Sequence, residues 1–499
     1  MKEKFPSYAT RAPFYEAVCA YAEQGPRPYH TPGHKRGQGA HAFLHTFLTP
    51  TGLAGEVSLL EGLDDLYNST TFLREAQQRA AKLWDADAAY FMVNGTTEAI
   101  HAMLLGTLSP GDSILLPRNA HRSLTGGAIL AGLRPIFLEP TIDKHFGIAQ
   151  GLAVQTVFKA LQAHPEVKAL VLVSPTYYGV ASDLERMAKL LHAQGKLLLV
   201  DEAHGAHLSF STALPLSAMR AGADMAASST HKTLGALTQS SMLFLKTKRV
   251  SPTRVAKALS LIGTTSPNNL LLASLDIARL QMETEGRERV GHAVQLAQKI
   301  RRALTQIAGL EVMGKESLDE QGAFALDETK ITVNVSNWGI TGWEAENALR
   351  TQGIAAELAD ARNVLFIISY ADGDAQAGAL VKAWQTLATK YSGNQNAQQA
   401  PATLPMLPPL PPQALDLRTA FFAPSRAVRL EQAKGEVSAE SLVFYPPGIP
   451  VIVPGEVFTS EILAYIQVSV ASGAHVSGAA DASLQTVRII DRGNREEER

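Results

Sequence analysis

An acid and an amine stand at the carboxyl ends of two short predicted strands. Leu197 to Val200 is an apolar run too short for a helix, bounded by Gly195 and Asp201, so it reads as a buried strand of a parallel sheet. A second short strand, Asp224 to Ala227, delivers Ser228, Ser229, Thr230, His231 and Lys232 at its carboxyl end. Ligands of open α/β sheets bind beyond the carboxyl ends of the strands, which lets Asp201 and Lys232 project into one crevice. A lysine amine condenses with an aldehyde. A buried acid facing a pyridine nitrogen keeps that nitrogen protonated, so that the ring accepts electrons from a carbanion. Together the two residues suggest pyridoxal 5'-phosphate. Singly, each is an ordinary surface lysine or an ordinary strand-end acid; the pairing, flanked by Ser229, His204 and His231, carries the reading.

The elements around this pair alternate as α/β units do. Arg74 to Trp84 reads as a helix feeding the strand Ala88 to Val93, and Asn94-Gly-Thr-Thr-Glu-Ala-Ile100 then opens a helix from Glu98 to Leu108. Gly95 lets the backbone approach a ligand, and the amides and hydroxyls of Thr96 and Thr97 sit at a helix amino terminus, where a phosphate is stabilised. Threonine also caps helices by default, so this motif gains its weight from Lys232. The strand Ser113 to Leu116 leads to Arg118-Asn-Ala-His121-Arg-Ser123. Next come the strand Pro135 to Leu138, a helix at Val154 to Ala163, and the strand Ala169 to Val173 with its loop Ser174 to Gly179. After Lys232, Ser240 to Leu245 reads as an antiparallel return strand, and a long helix runs from Leu270 to about Thr284. Strands at Lys330 to Ser336 and Val364 to Ser369 flank a helix near Trp343 to Gln352, which predicts a smaller α+β domain.

Bulk properties bound the rest. A chain of 499 residues exceeds what one core usually supports. The expected division is an amino-terminal segment 1–72, a large domain 73–300, a small domain 301–390, a proline-rich linker 391–413, a carboxyl-terminal domain 414–490 and a charged tail 491–499. With 46% hydrophobic and 18% charged residues and a formal charge of −2, nothing points to nucleic acid or to an anionic membrane surface. The single cysteine, Cys19, excludes an internal disulfide framework and reads as helix filler. The amino terminus lacks the apolar core of a signal peptide and no run is long enough to span a membrane, so the expected location is the cytoplasm. No metal site is expected.

Eight ordered motifs make the chain resemble a known family. They are PGHKRG at 32–37, NGTTEAI at 94–100, PRNAHRS at 117–123, SPTYYG at 174–179, VDEAHGAH at 200–207, STHKTLGALTQSS at 229–241, TTSPNNLLLASLDIAR at 264–279 and YPPGIPVIVPGE at 445–456. The family is that of the pyridoxal-phosphate-dependent ornithine/lysine/arginine decarboxylases, in the shorter form without an amino-terminal wing domain. The resemblance implies a fold-type-I (aspartate-aminotransferase-like) large domain with a mainly parallel sheet, plus smaller α+β carboxyl-terminal domains. It further implies Lys232 as the residue joined to the cofactor, Asp201 as the partner of the pyridine nitrogen, and His121 as the ring stacked on the cofactor face. His231 stands beside the reacting carbon, Gly95, Thr96, Thr97 and Ser229 hold the phosphate, and Ala203 and His204 line the ring edge. The loop 264–266 resembles a piece lent to a second subunit's phosphate pocket, implying a homodimer or higher even oligomer. The chain departs from the family where Leu63-Asp-Asp-Leu-Tyr67-Asn-Ser-Thr replaces a pattern with histidine at the fifth position and a proline–glycine turn.

The reaction implied is loss of carbon dioxide from a basic L-amino acid, with the scissile bond held perpendicular to the ring and His231 or Lys232 returning the proton. Arginine is favoured as substrate, then lysine or ornithine, and the product amine belongs to polyamine metabolism. A cationic side chain needs a distal carboxylate; Glu456 is the candidate, with Asp64 or Asp65 behind it. Another fold-type-I enzyme, an aminotransferase or aldolase, is the alternative; the former would use an arginine such as Arg362 to grip the α-carboxylate. A nucleotide-driven helicase, which VDEAH also matches, needs a phosphate loop that the chain lacks.

Overall fold

A computed structural model of the protein describes residues 10–58, 60, 62–319, 321–391, 408–445, 449–471 and 474–492. Most of the expected linker, the centre of the Tyr445 to Pro450 turn and most of the charged tail lie outside the described residues. The chain packs as two compact units, Met1–Thr107 with Leu197–Gly291 and Leu108–Lys196 with His292–Arg499. Strands of a mainly parallel sheet occur in both.

In the first unit the strand order is Ala88–Met92, Ser241–Leu245, Met225–Ser228, Leu197–Asp201. Ser241–Leu245 runs antiparallel to both of its neighbours, as its position after Lys232 predicts. Met225–Ser228 and Leu197–Asp201 are parallel, with Asp201 level with Ala227. These two strands are almost wholly buried, which is why they read as apolar runs rather than alternating ones. Helices Gly95–Thr107 and Pro252–Ile262 approach so closely that a Cβ at Gly106 would stand 2.9 Å from the Val255 backbone. The first helix, Pro13–Gln24, is held by Asp276, whose carboxylate accepts the Phe14 amide at 2.9 Å and pairs with fully buried Arg279 at 2.7 Å.

The helix expected to end near Thr284 continues from Asn269 to Leu304. Gly286 lies within it, and a Cβ there would stand 2.9 Å from the Phe210 ring, so the packing accounts for a glycine inside the helix. The helix Pro252–Ile262, unforeseen from the sequence, starts on the Ser251 hydroxyl and Pro252.

The second unit carries the parallel strands Ala169–Val173, Ser113–Pro117 and Arg134–Leu138, in that order. Beyond them an antiparallel sheet orders Glu311–Val312, Lys330–Asn334, Asn363–Ile367 and Leu358–Ala359. The helix Gly342–Arg350, started by a Thr341–Glu344 capping box, and the helix Asp374–Tyr391 cover it around Trp338 and Trp384. The helices and the sheet together form an α+β layer. The carboxyl-terminal strands Ser425–Arg429 with Thr486–Ile490, and Leu442–Tyr445 between Ile449–Ile452 and His475–Ser477, share a core with the helix Ser460–Ala471. No described helix is long and apolar enough to cross a membrane.

Candidate functional site

The first unit brings most of the expected residues to the ends of two adjacent strands. Asp201 closes the strand Leu197–Asp201, and Lys232 lies on the single turn Thr230–Thr233 that follows Met225–Ser228. Asp201 is buried, and its Oδ1 accepts the Ala203 amide at 3.1 Å. Burial raises its pKa to about 6, opposed by the charge of Lys232 and by the Ala203 bond. Glu202, also buried, accepts the Ala218 amide at 2.6 Å; burial pushes its pKa up to about 8, and the neighbouring Asp201 adds to the rise.

The Lys232 amine lies 3.0 Å from Nε2 of buried His204. The His231 Nδ1 is 2.8 Å from the Ser240 carbonyl, which only accepts, so Nδ1 carries the proton and Nε2 of the neutral ring keeps its lone pair. Burial lowers the His231 pKa, favouring that neutral form.

A cluster of hydroxyls lies at the start of helix Gly95–Thr107. Thr96 Oγ1 is 2.5 Å from Ser229 Oγ and 2.7 Å from Ser241 Oγ, and all three residues are buried, whereas Thr97 is exposed. Gly95 has φ +74°, a region that favours glycine, and the space its Cβ would take is open. Ser241 was not singled out from the sequence. Its signal was available only as one half of Ser240-Ser241 at the start of the return strand, where no spacing rule points to Thr96.

The three carboxylates expected to meet a substrate cation have different partners. Asp64, at φ +58°, accepts the amides of Thr70, Thr71 and Leu73 at 2.8–3.0 Å and so closes its own loop. Those bonds hold its pKa below the usual range, against its partial desolvation. Asp65 is exposed and accepts the Tyr67 amide at 2.9 Å. In the second unit Glu456 is 1% exposed, and Arg118 takes both its oxygens at 2.7 Å while the Val453 amide takes Oε2 at 2.9 Å. This corrects the expectation for Glu456: a buried carboxylate already neutralised by an arginine has no charge to offer a substrate. Also in the second unit, His121 caps the helix Arg122–Ala131, its Nδ1 lying 2.8 Å from Ser123 Oγ and 3.3 Å from the Ser123 amide. Arg362, considered for an α-carboxylate, donates to the carbonyls of Lys144 and His145. Among the described residues no group of three or more His, Cys, Asp or Glu is gathered to hold a metal.

The donor set in the first unit suits pyridoxal phosphate: an amine, a buried carboxylate on the adjacent strand, and glycine and hydroxyls at a helix amino terminus. The fold is that of the fold-type-I class, an α/β unit with a mainly parallel central sheet. Residues 12–376 match the Orn/Lys/Arg decarboxylase major domain and residues 412–491 its C-terminal domain. The chain is 40% identical over 481 residues to an arginine decarboxylase of Halalkalibacterium halodurans, covering 96% of this chain and 98% of that one. It is 40% identical over 479 residues to an arginine decarboxylase of Bacillus subtilis, with 96% and 97% covered. The crystal structure of a lysine decarboxylase of Francisella novicida superposes with a TM-score of 0.85 at 23% identity, covering 96% of this chain and 81% of that one, a likeness of fold. The protein belongs to the Orn/Lys/Arg decarboxylase family, as its eight motifs indicate.

Proposed function

We propose that the protein converts L-arginine to its amine and carbon dioxide with pyridoxal 5'-phosphate as cofactor, lysine and ornithine being the second choices. The observation that carries the reading is the Lys232 amine beside His204 at the end of the strand adjacent to that of buried Asp201. Arginine is preferred because the relatives at 40% identity over nearly the whole chain bear that name.

When bound, the cofactor supplies an electron sink for the bond that breaks. Lys232 holds it by its amine, and Asp201 stabilises positive charge at the pyridine nitrogen. The glycine and hydroxyls at 95–97 and Ser229 take the phosphate, and Ala203 and His204 line the ring edge. The stacking role of His121 rests on the family pattern alone. His231, once its Nε2 lone pair has taken up a proton, or the protonated Lys232 amine, would return a proton to the α-carbon. Asp65 is left as the exposed acid for a substrate cation. The working form is a homodimer or higher even oligomer completed by the partner's 264–266 loop, in the cytoplasm, and its product enters polyamine metabolism.

The test is carbon dioxide release from arginine, lysine and ornithine by purified protein with added cofactor, beside a Lys232→Ala variant. Release from arginine that vanishes in the variant is expected. Binding of the cofactor at Lys232 without release from any of the three would overturn the reading in favour of another fold-type-I reaction.

A further inference from the structure

Gly263 has a backbone conformation open to any residue, φ −84° and ψ 168°, yet it has no room for one. A Cβ there would stand 1.7 Å from the Tyr67 hydroxyl oxygen and 2.6 Å from Glu98 Oε1. The glycine is required by what sits on it. Three segments meet at this point: the 62–71 loop, the first turns of helix Gly95–Thr107, and the end of helix Pro252–Ile262 where the 264–266 loop departs.

We propose that Tyr67 and Glu98, seated over Gly263, are positioning residues for the phosphate end of the site. The Tyr67 hydroxyl donates to Glu98 Oε1 at 3.5 Å and ties the 62–71 loop both to the helix that carries Thr96 and to the root of the 264–266 loop.

Each side of this contact is itself fixed. Behind Tyr67, the Asp65 carboxylate holds the Tyr67 amide, and Asp64 gathers the amides of Thr70, Thr71 and Leu73, so the loop is braced from within. Behind Glu98, its Oε2 accepts the Asn94 amide at 3.2 Å, closing the turn that contains Gly95 and Thr96. Glu98 is 6% exposed, and a carboxylate that far from water depends on each donor it has. A shift at position 67 therefore reaches Thr96 through one helical turn, and Thr96 is bonded to Ser229 and Ser241.

This inference rests on the reading of residues 95–97 and Ser229 as the phosphate holders, and the test separates the two. Cofactor dissociation constants are measured by titrating the apoenzyme, together with amide exchange over 62–71 and 263–266 in the apoenzyme. Tyr67→Phe is expected to weaken cofactor binding about three- to tenfold, the worth of one hydrogen bond, and to speed exchange in both segments. Gly263→Ala is expected to weaken it about tenfold or more, and the effects of Tyr67→Phe and Gly263→Ala to be less than additive in the double variant, because the partners are coupled through one space. A Gly263→Ala variant that binds normally overturns the proposal. If Ser229→Ala weakens binding while Tyr67→Phe changes neither binding nor exchange, the positioning role falls and the phosphate reading stands. If Ser229→Ala binds normally, the phosphate reading falls and takes this inference with it.

Discussion

Arg118 and Glu456, 338 residues apart in sequence, form a buried ion pair with two parallel bonds of 2.7 Å. The guanidinium also donates to the carbonyls of Pro450 and Val451, each at 2.8 Å, and lies 4.9 Å from the Phe137 ring centre. Every partner is already in place, so the pair is a fastening of the carboxyl-terminal domain onto the loop after Ser113–Pro117.

Glu456→Gln should therefore act on stability. Breaking one side of a buried pair typically removes about 3–5 kcal/mol, whereas replacing both by apolar residues of similar volume is often neutral. Urea unfolding should show a large loss for Glu456→Gln and a much smaller one for Arg118→Met/Glu456→Leu. The relative kcat/KM for arginine, lysine and ornithine should stay unchanged in whatever fraction folds. A switched preference would return Glu456 to the substrate pocket.

Ser241 offers a test of the hydroxyl cluster by a residue that holds its neighbours. Ser241→Ala removes one of the hydroxyl partners of Thr96 Oγ1 in a buried cluster. A buried polar group deprived of a partner typically loses about 1–3 kcal/mol. The variant should bind the cofactor roughly tenfold more weakly, read by titration of the apoenzyme, with Ser229→Ala weaker still. Unchanged affinity in Ser241→Ala would separate this cluster from the phosphate.

Much of the architecture is legible in the sequence because the buried strands are short apolar runs that end in polar loops. The helix Val154–Ala163 and the strand Ala169–Val173 stand at their expected bounds, and Asp201 and Lys232 follow strands that are neighbours in the sheet. What escapes is long-range. Glu456 reads as a candidate substrate ligand because nothing near it in sequence announces Arg118. The long helix reads as ending near Thr284, and nothing near Gly286 in sequence announces the Phe210 ring that packs on it. Tyr67 reads only as a departure from the family, since its counterparts Glu98 and Gly263 lie on separate segments. Local pattern carries elements; it does not carry which side chain fills which space.

Asp64 should anchor the 62–71 loop. Asp64→Ala removes the acceptor for three backbone amides, and the expected loss is about 1–2 kcal/mol, at the low end for a charged acceptor because the group is half exposed. The loss should appear as local opening, seen as faster amide exchange at 70–73, with a higher KM and a smaller change in kcat. Its pKa is lowered in the folded protein, so its contribution is present above the unfolded carboxylate value and disappears as pH falls through the folded one. Protection at 70–73, taken relative to the intrinsic exchange rate at each pH, should accordingly fall in acid in the wild type and lose that pH dependence in Asp64→Ala.

The opposite dependence is expected from Asp201 and Glu202 in the apoenzyme. Both are buried, and burial raises them, Asp201 to about 6 and Glu202 to about 8. Between the ordinary carboxylate range and those values the folded state holds protons that the unfolded state has released, so unfolding free energy falls as pH rises. Asp201 contributes to the decline up to about pH 6 and Glu202 up to about pH 8, each by roughly 1.4 kcal/mol per pH unit at most. Urea midpoints of the apoenzyme measured from pH 5 to 9 should thus drop, most steeply below neutrality. Glu202→Gln keeps the shape of the protonated acid and can still accept the Ala218 amide, so it should flatten the decline above pH 6. Saturating cofactor should flatten the part below it, because a protonated pyridine beside Asp201 favours the carboxylate. An apoenzyme whose midpoint rises from pH 5 to 8, or a Glu202→Gln variant that follows the wild type above pH 6, would mean that these acids are ionised in the fold and neutralised by a partner.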